Sequence, residues 1–229
     1  MNILEDGIKI LPLSTQFSCV EKLNSYINEI ELFNGAYGLV NYASKEELII
    51  KHILDSLAPL NILQHITGSC HQTQTLHFAD VGSGAGLPGI PLAICLPDVS
   101  FTLIERSQRR ADFLRNVQAV LSLKNVDVLE AAVENISTTC ISSAFDLVTF
   151  RAFSPLEYNL VCSIFKLIKK DGVIAAYKGK KEKIKLELLQ LESIAASDSN
   201  GCKLESSTTE IFVPFLEEER HIVVLRRIS

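Results

Sequence analysis

The stretch Asp80-Val81-Gly82-Ser83-Gly84-Ala85-Gly86-Leu87-Pro88-Gly89 decides the fold. It follows a short apolar run, Leu76 to Val81, and precedes an apolar segment that Pro88 can open as a helix, because its missing N–H costs nothing in a first turn. A glycine-rich turn between strand and helix lets a nucleotide-type ligand approach backbone with no side chain between. The pattern is DxGxGxG. It departs from the dinucleotide fingerprint GxGxxG or GxGxxA, because Leu87 stands at the sixth position. No GK[ST] follows, which excludes a Walker lysine loop.

Working outward, Phe101 to Ile104 reads as a second strand ending at Glu105. A carboxylate there can accept both hydroxyls of an adenosine ribose in either of two cofactor classes. Asp80 separates them better: it would repel a pyrophosphate, and it suits a ligand with an ammonium group, such as the methionine part of S-adenosylmethionine. A Rossmann oxidoreductase using a nicotinamide cofactor remains the enzyme alternative, and a purely structural turn the plainer one. Further strands are expected at Asn125–Leu129, Phe145–Phe150 and Gly172–Tyr177. Helices fill the gaps, one with Ala111, Leu114, Val117 and Leu121 on a single face. Strands at Thr208–Val213 and His221–Arg226 close the chain with no helix between them. This alternation implies a mostly parallel, doubly wound sheet of these seven strands with an antiparallel hairpin at its edge.

Upstream, the signals are helical. Phe17, Val20, Leu23, Ile27, Ile30 and Phe33 recur at spacings of three and four. A second helix starts at Ser44 with Glu47 as a capping box and runs toward Pro59, with Ile50, Ile53 and Leu57 on one face. A polar joint follows at Thr67–Thr75. The chain therefore divides into a helical N-terminal cap, residues 1–70, and a Rossmann-like α/β domain, residues 71–229.

Composition narrows the function classes. With 229 residues, 47% hydrophobic and 21% charged, the chain is globular rather than disordered. No run approaches the ~18 apolar residues of a membrane span. Met1 to Ile10 carries Glu5 and Asp6 and is not a secretory signal. The six scattered cysteines, Cys19, Cys70, Cys95, Cys140, Cys162 and Cys202, read as reduced thiols of a cytoplasmic protein. His65, Cys70, His71 and His77 match no zinc spacing, so no metal is expected. A monomer is expected. The net charge of −5 argues against a general nucleic-acid coat, so any such contact must use grouped cations. Two groups exist. Lys166 to Lys185 holds eight lysines against Asp171 and Glu182. Arg106, Arg109, Arg110 and Arg115 follow the second strand, and Arg109 and Arg110 lie nearest the expected cofactor edge. Glu217-Glu218-Glu219 reads as an exposed turn. His52, Asp55 and Ser56 share one helix face but sit too close in sequence for a hydrolase triad.

Together these residues resemble the bacterial small-subunit rRNA guanine-N7 methyltransferases, the glucose-inhibited division protein B family. The likeness runs through Phe33-Asn34 and Tyr37, His52-Ile53-Leu54-Asp55-Ser56-Leu57 and Asp80 to Pro91. It continues through Arg109-Arg110, Phe113-Leu114-Arg115, Phe150-Arg151-Ala152-Phe153-Ser154-Pro155 and Tyr177-Lys178-Gly179. The resemblance implies a class I S-adenosylmethionine-dependent methyltransferase fold and methyl transfer to N7 of one guanine in 16S rRNA, free or in a small-subunit particle. It implies that Asp80, Gly82, Gly84, Gly86 and Leu87 bind the cofactor and that Glu105, Arg106 and Ser107 surround its ribose. It also implies that Val133 and Glu134 flank the adenine, and that Arg151, at the cofactor and acceptor mouth, and His52 position the acceptor. Arg109, Arg110, Arg115 and Lys178 are the implied RNA contacts. Guanine N7 carries its lone pair in the neutral base, so alignment matters more than a general base. Phe153 could stack on a base. The family usually has Asn where Gly38 stands, Asp where Glu105 stands, and often Arg in place of Ala132. A non-catalytic RNA-binding or ribosome assembly factor on the same fold is the alternative outside enzymes.

Overall fold

The computed structural model describes residues 2–12, 19–68, 75–136, 144–151, 155–197 and 203–228. Cys70, His71, Cys140, Ala152, Phe153, Ser154 and Cys202 lie outside the described residues.

The apolar runs after residue 75 form β1 (His77–Val81), β2 (Ser100–Glu105), β3 (Val126–Glu130), β4 (Phe145–Arg151) and β5 (Ile168–Lys178), all parallel where they pair. Two more strands, β6 (Leu204–Glu210) and β7 (His221–Arg227), pair antiparallel, and β7 also pairs antiparallel with β5. The sheet order is β3-β2-β1-β4-β5-β7-β6. The expected edge hairpin is present, with its first strand earlier than Thr208–Val213. Val213 is buried in the connecting loop instead. The order reverses at β1, between β2 and β4, the position where open α/β sheets bind ligands at the carboxyl ends of their strands.

Before the sheet come α1 (Ile3–Ile10), α2 (Val20–Tyr37), α3 (Lys45–Leu48), α4 (Asp55–Leu57) and α5 (Leu60–Gly68). Between α3 and α4 lies a π-helical segment, Ile49–Leu54. After β1 follow α6 (Gly89–Cys95), α7 (Gln108–Val120), α8 (Tyr158–Phe165) and α9 (Lys181–Ser197). One face of the sheet packs on α6, α7 and the N-terminal helices through a continuous core that includes Leu4, Tyr26, Ile53, Phe78, Leu114 and Ile222. The other face packs on α8 and α9 through residues including Val148, Phe150, Val161, Ile184 and Leu225.

Three upstream expectations change. Neither α1 nor α5 is signalled by the periodicity reading, and the expected polar joint begins inside α5, where Thr67 is buried and its hydroxyl donates to the Leu63 carbonyl. The Ser44 helix starts as expected, with Ser44 Oγ accepting from Glu47 N at 3.2 Å, while Glu47 reaches back to Ala43 N at 2.6 Å. Its buried apolar residues, however, are Leu48, Ile49, Ile53, Leu54 and Leu57, and Ile50 is half-buried. A π turn holds an extra residue, so a 3.6-residue period loses phase across it.

Candidate active site

The glycine loop leaves β1 with its positions divided between two tasks. Gly82 and Gly84 line a cleft of about 810 Å³ at the carboxyl edge of the sheet, with Ser83, Ala85 and Leu87. Gly84 has φ +57, and a Cβ there would meet only the Gly82 carbonyl oxygen, at 3.8 Å, so the backbone is bare toward a ligand. Gly86 is a packing position outside the cleft lining. A Cβ there would lie 2.5 Å from Ile90 and 3.0 Å from Leu114.

Asp80 also lies outside the cleft lining. Its carboxylate is 1% exposed beneath the loop and accepts from Gly89 N at 3.1 Å and from the Thr149 hydroxyl at 3.3 Å. Burial pushes its pKa up to about 7, against the stabilising Gly89 N–H. Its visible work is to fasten the loop to the start of α6.

Glu105 occupies the position expected for a ribose-binding acid. One carboxylate oxygen accepts from Gly84 N and the other from Ser107 N, both at 2.8 Å, and the side chain is buried at the cleft wall. Each oxygen keeps a second lone pair for a ligand hydroxyl. Arg106 lines the cleft, while Ser107 serves through its backbone. Val133 and Glu134 sit on a 3-10 turn after β3, outside the cleft lining. Val133 is buried in the core on the α8 and α9 side of the sheet, and Glu134 is exposed.

The π-helical segment supplies another part of the cleft wall through Lys51 and His52. Asp55 N–H bonds to the Ile50 and His52 carbonyls, and the Lys51 carbonyl accepts from Arg151 at 3.2 Å. Arg151, at the end of β4, also donates to Asp55 at 2.9 Å and to His52 Nδ1 at 3.2 Å. His52 Nε2 faces the Asn41 carbonyl at 3.1 Å, which makes it the protonated nitrogen of a neutral ring. Desolvation, reinforced by the Arg151 charge, lowers the His52 pKa to about 4. Arg220, from the loop before β7, reaches the other Asp55 oxygen at 3.2 Å. No sequence pattern pointed to Arg220. Ser56 donates to the His52 carbonyl within the helix, at 2.6 Å, and the Tyr177 hydroxyl bonds the Ser56 carbonyl at 2.9 Å. Tyr26 joins α2 to the glycine loop through the Ala85 carbonyl at 2.6 Å.

The sequence-derived cations behave differently from one another. Arg110 lines the cleft and reaches the Gly38 carbonyl at 3.5 Å, and Arg109 lies 5.9 Å over the Tyr37 ring. Gly38, where the resemblance leads one to expect Asn, is a left-handed helix cap with φ +57, a conformation both residues accept. Arg115 pairs with Asp112 at 2.8 Å and Glu130 at 3.1 Å, outside the cleft lining. Lys178 does line the cleft, but it is 11% exposed and pairs with buried Glu187 at 2.8 Å, so it is not an open phosphate contact. Glu187 also accepts from Leu156 N at 3.1 Å, holding the chain that follows β4. The triple-acid turn is exposed, yet Glu218 bonds Lys51 and Arg220, and Glu219 accepts from Lys181 N. Eight Lys and Arg residues line the cleft against three acids, Asp55, Glu105 and Glu187. An acidic protein thus concentrates positive charge at one opening. Among the described residues no group of three His, Cys, Asp or Glu is arranged to hold a metal, and no helix is long and apolar enough to cross a membrane.

The family model described as rRNA small subunit methyltransferase G matches residues 19–223. The chain belongs to that family. A relative from Treponema denticola, Ribosomal RNA small subunit methyltransferase G, is 34% identical over 98% of this chain and 94% of its own length. The protein of that name from Neisseria meningitidis is also 34% identical, over 98% and 97%. Among solved structures, the METTL16 MTase domain superposes with a TM-score of 0.61 at 16% identity, covering 91% of this chain and 81% of that one. A SAM dependent methyltransferase from Aquifex aeolicus gives 0.55 at 16% identity, over 75% and 91%. The fold is that of the class I methyltransferases. The family's cofactor is S-adenosylmethionine, and the enzyme reading is favoured over the oxidoreductase and the non-catalytic factor.

Proposed function

We propose that the protein methylates N7 of a specific guanine in 16S rRNA, within the cytoplasm, on the free RNA or a small-subunit particle. The observation that carries this reading is the juxtaposition in one cleft of a bare glycine loop, a buried ribose-type acid and an excess of five cationic side chains over acids. Bound S-adenosylmethionine supplies an electrophilic methyl group. Gly82, Gly84 and Leu87 would hold it from the loop, and Glu105 would accept from its ribose hydroxyls. Asp80 and Gly86 act from below by fixing the loop's shape.

On the acceptor side, the division of labour follows from charge. Guanine N7 needs no deprotonation, and His52, the imidazole described beside Arg151, is neutral with both ring nitrogens occupied. Arg151 is held on three sides, and a fixed guanidinium can donate to guanine O6 or to a phosphate with little reorganisation. The described N-terminal part supplies one wall of the cleft, including Leu39, His52 and Asp55, and is joined to the rest of the chain through Asp55–Arg151, Tyr26–Ala85 and Tyr177–Ser56.

Calorimetric titration with S-adenosylmethionine, with NAD in a parallel cell, tests the cofactor half. Micromolar binding of the first and none of the second is expected. Binding of NAD alone would overturn it.

A further inference from the structure

The loop from Ile211 to Arg220, which joins β6 to β7, carries two exposed aromatic rings. Phe212 is 71% and Phe215 44% exposed, and every other Phe or Tyr among the described residues is buried or half-buried. The rings are not on a loose strap. Val213 between them is buried in the core at 3% exposure, Leu216 N bonds the Val213 carbonyl at 3.2 Å, and Phe215 is held at φ +66, where L side chains are uncommon.

Position gives these rings a partner. Strand β6 is antiparallel to β7, which is antiparallel to β5, so β6 runs with the parallel strands and the loop emerges at the cleft edge of the sheet. The loop's two ends, Ile211 and Arg220, line the cleft. The loop is also tied to the start of α9: Glu219 accepts from Lys181 N at 3.1 Å, and His221 Nδ1 meets the Gly179 carbonyl at 2.6 Å. That start carries exposed Lys180, Lys181 and Lys183, two of which line the cleft. Exposed aromatic faces near exposed cations, of which Lys183 meets Glu187 only at 4.0 Å, at an opening already rich in positive charge, suit a single-stranded polyanion with stackable bases.

We propose that Phe212 and Phe215 form a stacking platform for unpaired nucleotides flanking the acceptor guanine, with Lys180, Lys181 and Lys183 taking the adjoining phosphates. This rests on the RNA acceptor of the proposed function and adds a second contact surface outside the reacting centre. Stacking needs a π face and tolerates any base, so the platform sets acceptor affinity and leaves cofactor affinity alone.

The test measures methylation of unmodified small ribosomal subunits by four forms of the full chain. Phe212→Ala with Phe215→Ala is expected to raise the acceptor KM about tenfold or more, with kcat and S-adenosylmethionine affinity kept. Leu at both positions is expected to behave like Ala, because it restores apolar area without a π face. Phe212→Trp is expected to retain the parent KM, and its indole, in a chain with no other tryptophan, is expected to be quenched when the acceptor binds. An unchanged KM in the Ala pair, or full recovery by Leu, which would mark an apolar protein contact, overturns the platform. If the parent chain methylates the subunits and only these expectations fail, the platform alone falls. If the parent methylates nothing, the underlying reading falls with it.

Discussion

Asp55 and Arg151 form an ion pair 2.9 Å long across the boundary between the N-terminal helices and β4, with side chains 7% and 13% exposed. Arg220 occupies the second Asp55 oxygen. One carboxylate thus joins the π-helical segment, the sheet and the β6–β7 loop. A buried pair costs more to break from one side than it contributes when intact, because the partner charge is left without compensation. Asp55→Ala leaves two guanidinium groups facing one another and should lower stability by about 3–5 kcal/mol in chemical denaturation. Asp55→Asn, which keeps an acceptor, should lose less.

The division within the glycine loop predicts opposite effects at neighbouring positions. Gly84→Leu places a side chain in the open cleft and should abolish calorimetric S-adenosylmethionine binding, with a stability loss near the ~1–2 kcal/mol of a left-handed L residue. Gly86→Ala meets Ile90 and Leu114 and should lower stability by about 1–3 kcal/mol. Retained cofactor affinity in Gly84→Leu would remove the loop from the cofactor site.

Asp80 and His52 give pH dependences of opposite sign. The folded Asp80 pKa, about 7, lies above the ordinary 3.8, so its contribution is full below pH 4 and is lost as pH rises through 7. Asp80→Asn should therefore gain in melting temperature relative to the parent as pH goes from 5 to about 8. The folded His52 pKa, about 4, lies below 6.5, so its contribution is present above 6.5 and is lost as pH falls toward 4. His52→Gln should narrow the loss of stability in that acid window.

The arginines after β2 separate by what already neutralises them. Arg109→Glu with Arg110→Glu should weaken RNA binding and reduce the salt slope by about 1.4 or more, while cofactor affinity is unchanged. Arg115→Glu should have little effect, because Asp112 and Glu130 already flank Arg115. Equal losses at both sites would mean that the RNA path follows the outer face of α7.

Much of this architecture was legible because local chemistry and tertiary role coincide. Asp80 to Gly89 required a strand, a turn and a helix, and that is how it folds. Ala111, Leu114 and Val117 gave one buried face of α7. Legibility failed where distant residues decide. The π turn at Ile49–Leu54 shifts the helix phase and leaves the Lys51 carbonyl to Arg151, a partner about 100 residues away. The resemblance implies an RNA contact at Lys178, and its pairing with Glu187 on the next helix is a tertiary relation that no local pattern carries. Asp80 looked like a ligand contact because its type and spacing were right, whereas its burial is a property of the packed sheet. Arg220 carried no local pattern at all.

The acceptor atom can be read directly. Small ribosomal subunits lacking the modification, incubated with the protein and methyl-labelled S-adenosylmethionine, can be digested to nucleosides and resolved by mass spectrometry. Label is expected in 7-methylguanosine, at one site per 16S rRNA. Label on another atom or base, or none from a chain that binds the cofactor, would contradict guanine-N7 transfer.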